Sequence, residues 1–303
     1  MIVPHGRRVW MPLLCLSVLL AMAGPARAHS GHTNWGPWRF DWEVKDGAGL
    51  ALRNVTFNNE LVIWKASMPV IRVRYDRDCG PYADRIDWGN LLEISNCDNA
   101  KVCQKSFASG GRNWLRIDVL AAIGSYRLNQ IWFLSDDGYI QARLSSRGLQ
   151  CDVDHDHHPY WRLDLDINGA SSDQVFVFDN NRPNQGWGAG WLKYTSELNE
   201  VKNAGTGRVW FVRDSPTSHG MWILPGTDDG SADGFSSKDA APRLYVGSED
   251  EPWPFSTDHL GYLNGQNIAE KDVVFWYVAH LHHHAAEGGD QWHRAGPWLK
   301  VAR

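Results

Sequence analysis

Short runs of β-branched and aromatic residues, separated by Gly, Pro, Asp and Ser, dominate the hydrophobic pattern of this chain. Runs of this length and composition are typical of β-strands, and no long segment repeats apolar residues at helical spacing. Asp136–Gly138 is typical of a hairpin turn. The predicted strands are Trp38–Trp42, Leu61–Lys65, Val70–Tyr75, Gln130–Leu134, Tyr139–Leu144, Gln174–Phe178, Val209–Val212 and Val273–Val278.

The segments between these strands contain Gly, Pro, Asp and Ser, as in 225–242, and are typical of loops rather than of linkers between domains. The sequence shows no internal repeat and no low-complexity tract. The pattern therefore predicts an all-β fold, a large antiparallel β-sandwich that forms a single domain over residues 29–303.

The first 28 residues have the composition of a signal peptide. Arg7 and Arg8 precede an apolar stretch, Met11–Ala23, and Ala26–Ala28 has the A-x-A form of a cleavage site. The apolar stretch is too short to span a membrane comfortably, and nothing later resembles a transmembrane segment. We therefore expect an exported protein, periplasmic or extracellular, that has no membrane partner and begins at His29.

The net charge indicates which classes of partner to exclude, and the cysteine content indicates the cellular compartment. A net charge of −5 argues against nucleic acid or anionic lipid as a partner. Four cysteines remain once Cys15 is removed with the signal, and an even number in an exported protein predicts two disulfides. Cys97 with Cys103 would close a short loop, which leaves Cys79 with Cys151.

The tryptophan content is high, with 17 residues in the chain. It leaves two interpretations open, because exposed indole rings are suited to carbohydrate binding and buried ones fill the core of a β-sandwich. A carbohydrate-binding module would have no need of the histidines described next.

The segment 155–166 concentrates metal-binding side chains. His155 and His157 would share one face of a strand and could bind one metal ion, whereas His158 would lie on the other face. Asp164 and Asp166 again share a face, and their carboxylates suit a hard cation such as calcium. A third histidine ligand could come from the distant segment 282–284.

Several segments, in order, resemble the catalytic domain of copper amine oxidases. The similarity extends from Trp38 to Trp298, without the smaller domains that usually precede that domain. The matching segments are 38–40, 49–55, 65–69, 73–75, 96–98, His155-x-His157 with Arg162–Asp166, and Asp272–Tyr277 followed by His283.

Carried over by position, the resemblance implies two metal sites. Copper would be bound by His155, His157 and His283, with His282 or His284 as the alternative if the match is shifted by one residue. Three imidazoles with open coordination positions suit Cu(II). Calcium would be bound by the carboxylates of Asp164, Asp166 and Asp272, helped by the carbonyl groups of Leu165 and Val273.

The resemblance also implies a cofactor made from the chain itself. Tyr126 lies where the family oxidises a tyrosine to topaquinone, although Ser125 and Arg127 replace the usual flanking residues. Tyr75 lies where a tyrosine hydrogen-bonds the quinone oxygen. Asp87 lies where a carboxylate acts as the base that removes a proton from the α-carbon of the substrate.

Together these features predict an exported copper enzyme that uses oxygen to convert a primary amine to an aldehyde, releasing ammonia and hydrogen peroxide. The alternative is a copper-binding protein of the same fold that forms no quinone, because Ser125 and Arg127 change the surroundings of Tyr126. The sequence leaves open which amine is used and whether the protein is a homodimer.

Overall fold

The computed structural model describes residues 29–97, 101–247 and 263–303, so the predicted signal peptide lies outside the described residues. No helix in this part of the chain is long and apolar enough to cross a membrane. The strands are β1 (His29–Trp35), β2 (Trp38–Lys45), β3 (Gly49–Phe57), β4 (Glu60–Tyr75), β5 (Tyr82–Asp84), β6 (Leu91–Leu92), β7 (Cys103–Ser109), β8 (Arg112–Ile123), β9 (Tyr126–Ser135), β10 (Tyr139–Arg147), β11 (His155–Asp164), β12 (Asp173–Phe178), β13 (Trp191–Tyr194), β14 (Val209–Asp214), β15 (Gly220–Leu224), β16 (Ala240–Leu244), β17 (Val273–Val278), β18 (Leu281–His283), β19 (His293–Ala295) and β20 (Trp298–Ala302). Short 3-10 turns occupy Trp88–Asn90, Ala204–Thr206 and Ala285–Glu287.

Two antiparallel sheets pack face to face, which confirms the predicted β-sandwich. In the first sheet the order is β1-β2-β3-β4-β11-β17-β16, with β5 paired to β4 and β18 paired to β11. In the second the order is β13-β12-β14-β15-β20-β10-β9-β8-β6, with β7 on β8 and β19 on β10. The long strands β4 and β11 lie at the middle of the first sheet. They carry Tyr75, His155 and His157, which are among the predicted site residues.

The predicted strands Leu61–Lys65 and Val70–Tyr75 are parts of one strand, β4. Pro69 lies between them and has no N–H to donate to a neighbouring strand. The register against β11 shifts at this point, because Tyr160 pairs with Val70 whereas Arg162 pairs with Ser67. This β-bulge accommodates the proline, so the strand continues where the sequence predicts a break.

The predicted hairpin turn at Asp136–Gly138 joins β9 to β10. Gly138 has φ +94°, a conformation that glycine adopts without steric cost, and its N–H donates to the carbonyl oxygen of Ser135 at 3.1 Å. The turn therefore sets the register of β9 against β10, in which Leu134 pairs with Ile140.

Tryptophan side chains fill much of the space between the sheets. Trp132 and Trp161 meet across the core with ring centroids 5.1 Å apart. The buried indole of Trp38 donates to the carbonyl oxygen of Ser135 at 2.7 Å, which satisfies its polar N–H. The core interpretation of the tryptophan content holds for the fully buried residues Trp38, Trp132, Trp161 and Trp210. Trp276 is buried in a separate, smaller hydrophobic cluster.

Both predicted disulfides are present. The Cα atoms are 5.0 Å apart for Cys97–Cys103 and 6.3 Å apart for Cys79–Cys151. The second bond joins the segment after β4 to the segment before β11, so it links the chain next to the two strands that carry Tyr75 and His155.

Candidate metal and active site

A row of polar side chains crosses three neighbouring strands of the first sheet. His155 on β11 pairs with Tyr75 on β4 and with His283 on β18. His157 lies two residues further along β11, so it faces the same side of the sheet. All four side chains are buried.

The three histidine rings cluster at one end of the sandwich. The ring centroid of His155 is 5.1 Å from that of His157 and 4.9 Å from that of His283. The structure thus brings together three histidines that are separated by up to 128 positions in the sequence.

The hydrogen bonds of these rings leave nitrogen atoms available for a metal ion. A carbonyl oxygen can only accept, so Nδ1 of His155 donates to Val153 (3.1 Å) and Nε2 of His283 donates to Gly288 (2.8 Å). Each bond leaves the other ring nitrogen with its lone pair. Neither nitrogen of His157 has a hydrogen-bond partner among the described residues. Backbone carbonyls commonly orient metal-binding imidazoles in this way.

Burial also favours the form of histidine that binds metals. Loss of solvation lowers the pKa of His155, and it lowers that of His157 well below the usual value, with the neighbouring His155 adding to the effect. Both rings are therefore neutral near pH 7, and a neutral imidazole is the form that coordinates a metal ion.

Tyr126 approaches this cluster from the opposite sheet, as the first residue of β9. Its hydroxyl oxygen lies 3.2 Å from Nε2 of His155 and 2.8 Å from the hydroxyl oxygen of Tyr75. Burial raises the pKa of both tyrosines. Gly148 permits the close packing here, because a Cβ atom at that position would lie 2.4 Å from the carbonyl oxygen of Ser125.

Arg127, which follows Tyr126 on β9, does not face the histidines. The guanidinium group of Arg127 donates to the backbone carbonyl of Tyr126 at 3.1 Å, and side chains of neighbouring strand residues point to opposite faces. Ser125 belongs to the turn between β8 and β9. The side chain of Arg127 therefore lies on the face of β9 that points away from the histidine cluster.

The structure places Asp87 at the start of the 3-10 turn Trp88–Asn90. Its carboxylate accepts a hydrogen bond from the N–H of Gly47 at 2.5 Å, in the turn between β2 and β3. A different carboxylate, that of Asp84, acts electrostatically on the hydroxyl groups of both Tyr75 and Tyr126 and contributes to their raised pKa values.

Asp84 has the environment expected of a catalytic base. It ends β5, whose register against β4 sets Asp84 opposite Ile71 and Tyr82 opposite Val73. Burial raises the pKa of Asp84 from 3.8 to about 6. The sequence pattern does not single out this residue, because β5 is only three residues long and has no hydrophobic pattern of its own. The available signal is the alternation Tyr82-x-Asp84, which puts both side chains on one face.

A cavity of about 470 Å³ lies beside Tyr75. Its walls include Arg74 and Arg77 from the end of β4 and the following turn, and Phe235 from the loop before β16. Tyr75 is thus both a wall of the cavity and the hydrogen-bond partner of Tyr126, so the cavity reaches one member of the tyrosine pair.

The predicted calcium ligands also converge. One carboxylate oxygen from each of Asp164, Asp166 and Asp272 lies within 4.8 Å of the other two. Burial and the charge of Asp164 raise the pKa of Asp166 to about 8 and that of Asp272 to about 6. Asp173, which is not among the predicted ligands, is fully buried, and burial and Asp166 raise the pKa of its carboxyl to about 9.

This concentration of buried acid is what a bound cation would offset, because repulsion among carboxylates and their poor solvation both oppose ionisation. A guanidinium nitrogen of Arg162 lies 3.3 Å from Asp164 and supplies one positive charge to the cluster. Leu165 and Val273, whose carbonyl groups are the other predicted ligands, are buried and adjoin these aspartates in the sequence.

A second concavity, of about 260 Å³, lies on the face of the second sheet away from the core. Its exposed aromatic rings are what the carbohydrate-binding interpretation predicts. That interpretation does not account for the histidine cluster. The concavity is lined by Phe176, Trp187, Trp191, Phe211, Arg213 and Trp222.

No protein-family model matches the chain, and no curated protein matches it. Solved structures do. An amine oxidase from Aspergillus nidulans has a TM-score of 0.71 at 14% identity, with 98% of this chain and 55% of that chain covered. The chain has the fold of the copper amine oxidases. A copper-containing benzylamine oxidase from Hansenula polymorpha gives 0.68 at 14% identity over 89% of this chain and 59% of that one. A lysyl oxidase from Pichia pastoris gives 0.67 at 13% identity over 99% and 56%.

The copper amine oxidase fold confirms the resemblance inferred from sequence segments. The chain spans a little over half the length of each of these amine oxidases. The identities of 13–14% establish the shared fold alone, so the activity has to be argued from the residues of this chain.

Proposed function

We propose that this protein is an exported, copper- and topaquinone-dependent oxidase that uses oxygen to convert a primary amine to an aldehyde, releasing ammonia and hydrogen peroxide. One observation carries the proposal. The hydroxyl of Tyr126 lies 3.2 Å from the ring nitrogen of His155 that Val153 leaves free, within a cluster of three imidazoles.

His155, His157 and His283 would hold the copper. Bound copper would supply the chemistry with oxygen by which a tyrosine of this fold is converted to topaquinone, since three protein ligands leave coordination positions open. The donor set fits, because each of these rings offers a nitrogen that makes no hydrogen bond to a backbone carbonyl.

Tyr75 would hold the oxygen at the hydroxyl position of Tyr126, using the hydrogen bond that spans 2.8 Å. Asp84, rather than Asp87, would remove the proton from the α-carbon of the substrate. A base with a pKa of about 6 is deprotonated at neutral pH yet more basic than an ordinary aspartate. The charge of Asp84 on both tyrosines supports this role, whereas the carboxylate of Asp87 is engaged by the backbone of Gly47.

Export is supported by the sequence features of residues 1–28 and by the two disulfides, which form in oxidising compartments. In this proposal residues 29–303 form one domain once the signal peptide has been removed. This domain acts on a small amine that enters by the cavity beside Tyr75, and a homodimer is compatible with it.

The direct test of function is peroxide formation. Protein that has been loaded with Cu(II) in air should release hydrogen peroxide, ammonia and an aldehyde in equal amounts when a primary amine such as benzylamine is added. Metal-free protein is the control. Copper-loaded protein that gives no amine-dependent peroxide across a panel of primary amines would favour the copper-binding alternative.

His155, His157 and His283 are the inner histidines. Replacing any one of them with alanine should remove the tightly bound copper of this inner site. We expect copper retained after dialysis against a weak chelator to fall by about one ion per chain, because too few imidazoles remain at the inner site. His219→Ala is the matched control. It removes a histidine that pairs with Glu60 and is not one of the predicted copper ligands. If His282 or His284 proves essential and His283 dispensable, the assigned register is wrong.

Calcium should stabilise the protein through Asp164, Asp166 and Asp272. Adding calcium at about one hundred times its dissociation constant to chelator-treated protein contributes about 2.7 kcal/mol. At about 2–4 °C per kcal/mol, that raises the thermal midpoint by about 5–10 °C. Scanning calorimetry measures the shift, and Asp272→Asn should abolish it. An identical midpoint with and without calcium in the wild-type protein would remove the calcium assignment.

A further inference from the structure

The strands that carry the inner histidines also carry histidine and aspartate on their outer face. His283 points into the sandwich, so its neighbours His282 and His284 point outward. Asp156 likewise alternates with His155 and His157, and it pairs with His282 across the two strands. Asp154 immediately precedes β11 on the same side.

Three ligand atoms meet on this outer face. Nε2 of His282 lies 3.1 Å from Nδ1 of His284, and the same Nδ1 lies 3.0 Å from Oδ2 of Asp154. All three atoms lie within 4.8 Å of one another. A tetrahedral ion with bonds of about 2.0–2.1 Å separates neighbouring ligand atoms by about 3.3–3.4 Å. The two separations of 3.1 and 3.0 Å are therefore close to those around a coordinated ion.

The remaining polar atoms of this group are fixed by neighbours. Oδ1 of Asp156 holds Nδ1 of His282 at 2.7 Å, which directs the lone pair of Nε2 toward His284. The N–H of Ala285 donates to Oδ1 of Asp154 at 2.7 Å, which leaves Oδ2 available. In metal sites, ligating histidines are commonly oriented by a hydrogen bond to a carboxylate, and ligating carboxylates are themselves hydrogen-bonded.

We propose that Asp154, His282 and His284 form a second metal site, with Asp156 as a positioning residue, that takes a divalent transition-metal ion of the Zn(II) class. Two imidazole nitrogens and one carboxylate oxygen are the ligands that such an ion prefers. The side chains of His282 and His284 are 41% and 59% exposed, so the ion can reach them from solution. A bound ion would fasten the start of β11 to the segment after β18, directly behind the inner histidines.

The test counts zinc in two complementary variants. Metal-free wild-type protein titrated with Zn(II) in a calorimeter should bind one more ion than His282→Ala/His284→Ala, whose changes are at the surface and spare the core. Conversely, His155→Ala/His157→Ala, which lacks the inner site, should still bind one Zn(II). Equal zinc stoichiometry in the wild type and the outer variant would overturn the proposal, as would an inner-site variant that folds but binds no zinc.

The positioning role of Asp156 is tested separately. Loss of such a carboxylate typically weakens metal binding by about ten- to a hundredfold, so Asp156→Asn should raise the zinc dissociation constant of the outer site by that factor. His32→Ala is the matched control, because His32 forms an exposed pair with Asp41 at 2.8 Å on another part of the sheet. Unchanged affinity in Asp156→Asn would contradict its role. Neither titration depends on amine oxidation, so they stand apart from the proposed enzymatic function.

Discussion

Asp84→Asn should lower the rate of amine oxidation by about a hundredfold or more, the usual effect of losing a general base. Asparagine has nearly the same shape, but its amide cannot accept the proton that leaves the α-carbon of the substrate. The measurement is kcat with a primary amine, after confirming that the variant binds copper and carries the modified Tyr126. The matched control is Asp87→Asn, which should retain most of the wild-type rate because Asp87 contacts the backbone of Gly47.

The pH profile should report the same residue. Asp84 works as a base only when it is deprotonated, so kcat at saturating amine should rise with pH through about 6 and level off above it. Asp84→Asn should flatten this acidic limb in the residual activity. If Asp87→Asn is inactive while Asp84→Asn keeps its rate, the sequence-based assignment of Asp87 is correct and the one made from the structure is wrong.

The raised pKa of Asp84 also has a consequence for stability. The folded protein binds this proton more tightly than the unfolded chain, whose aspartate titrates near 3.8. The stability contributed by the protonated form is therefore present below about pH 4 and is lost as the pH rises through about 6. Asp84→Asn should remove that part of the pH dependence, which urea unfolding at pH 4.5 and pH 7.5 would measure.

Tyr126→Phe should abolish amine oxidation altogether. Phenylalanine preserves the ring that packs against His157 at a centroid distance of 4.8 Å, but it removes the hydroxyl that must be oxidised. Because the three histidines are unchanged, the variant should still bind about one copper ion in the inner site. Loss of a buried hydrogen bond is expected to cost only about 1 kcal/mol of stability, so the protein should remain folded.

Tyr75→Phe is the control that separates the two tyrosines. It removes the 2.8 Å hydrogen bond but leaves the oxidisable hydroxyl of Tyr126 in place. We expect this variant to form the quinone and to turn over more slowly. Wild-type activity in Tyr126→Phe would exclude a cofactor derived from that residue.

Much of the architecture follows from local sequence pattern. Alternation within β11 is sufficient to predict that His155 and His157 share a face and that His158 does not. The same rule turns Arg127 away from the histidines, because it follows Tyr126 directly on β9. The disulfide pairing follows from the short loop closed by Cys97 and Cys103. In each of these cases the spacing along the chain fixes the geometry.

Other features depend on contacts between distant segments. The position of Asp84 is set by the pairing of three residues with β4, and three residues are too few to give a strand pattern. Asp173 joins the acidic cluster because β12 begins beside the start of β17. There the backbones of Asp173 and Lys271 form an isolated antiparallel β-bridge. The outer group of His282, His284 and Asp154 requires the register between β11 and β18, which no local pattern specifies.

The most direct test of the central proposal is to add Cu(II) to metal-free protein in air and follow its visible spectrum. The proposal predicts that the protein turns pink and gains a carbonyl that reacts with a hydrazine, with the added mass on the peptide that contains Tyr126. Copper-loaded protein that stays colourless, with an unmodified Tyr126 peptide, would contradict it and identify a copper-binding protein of the same fold.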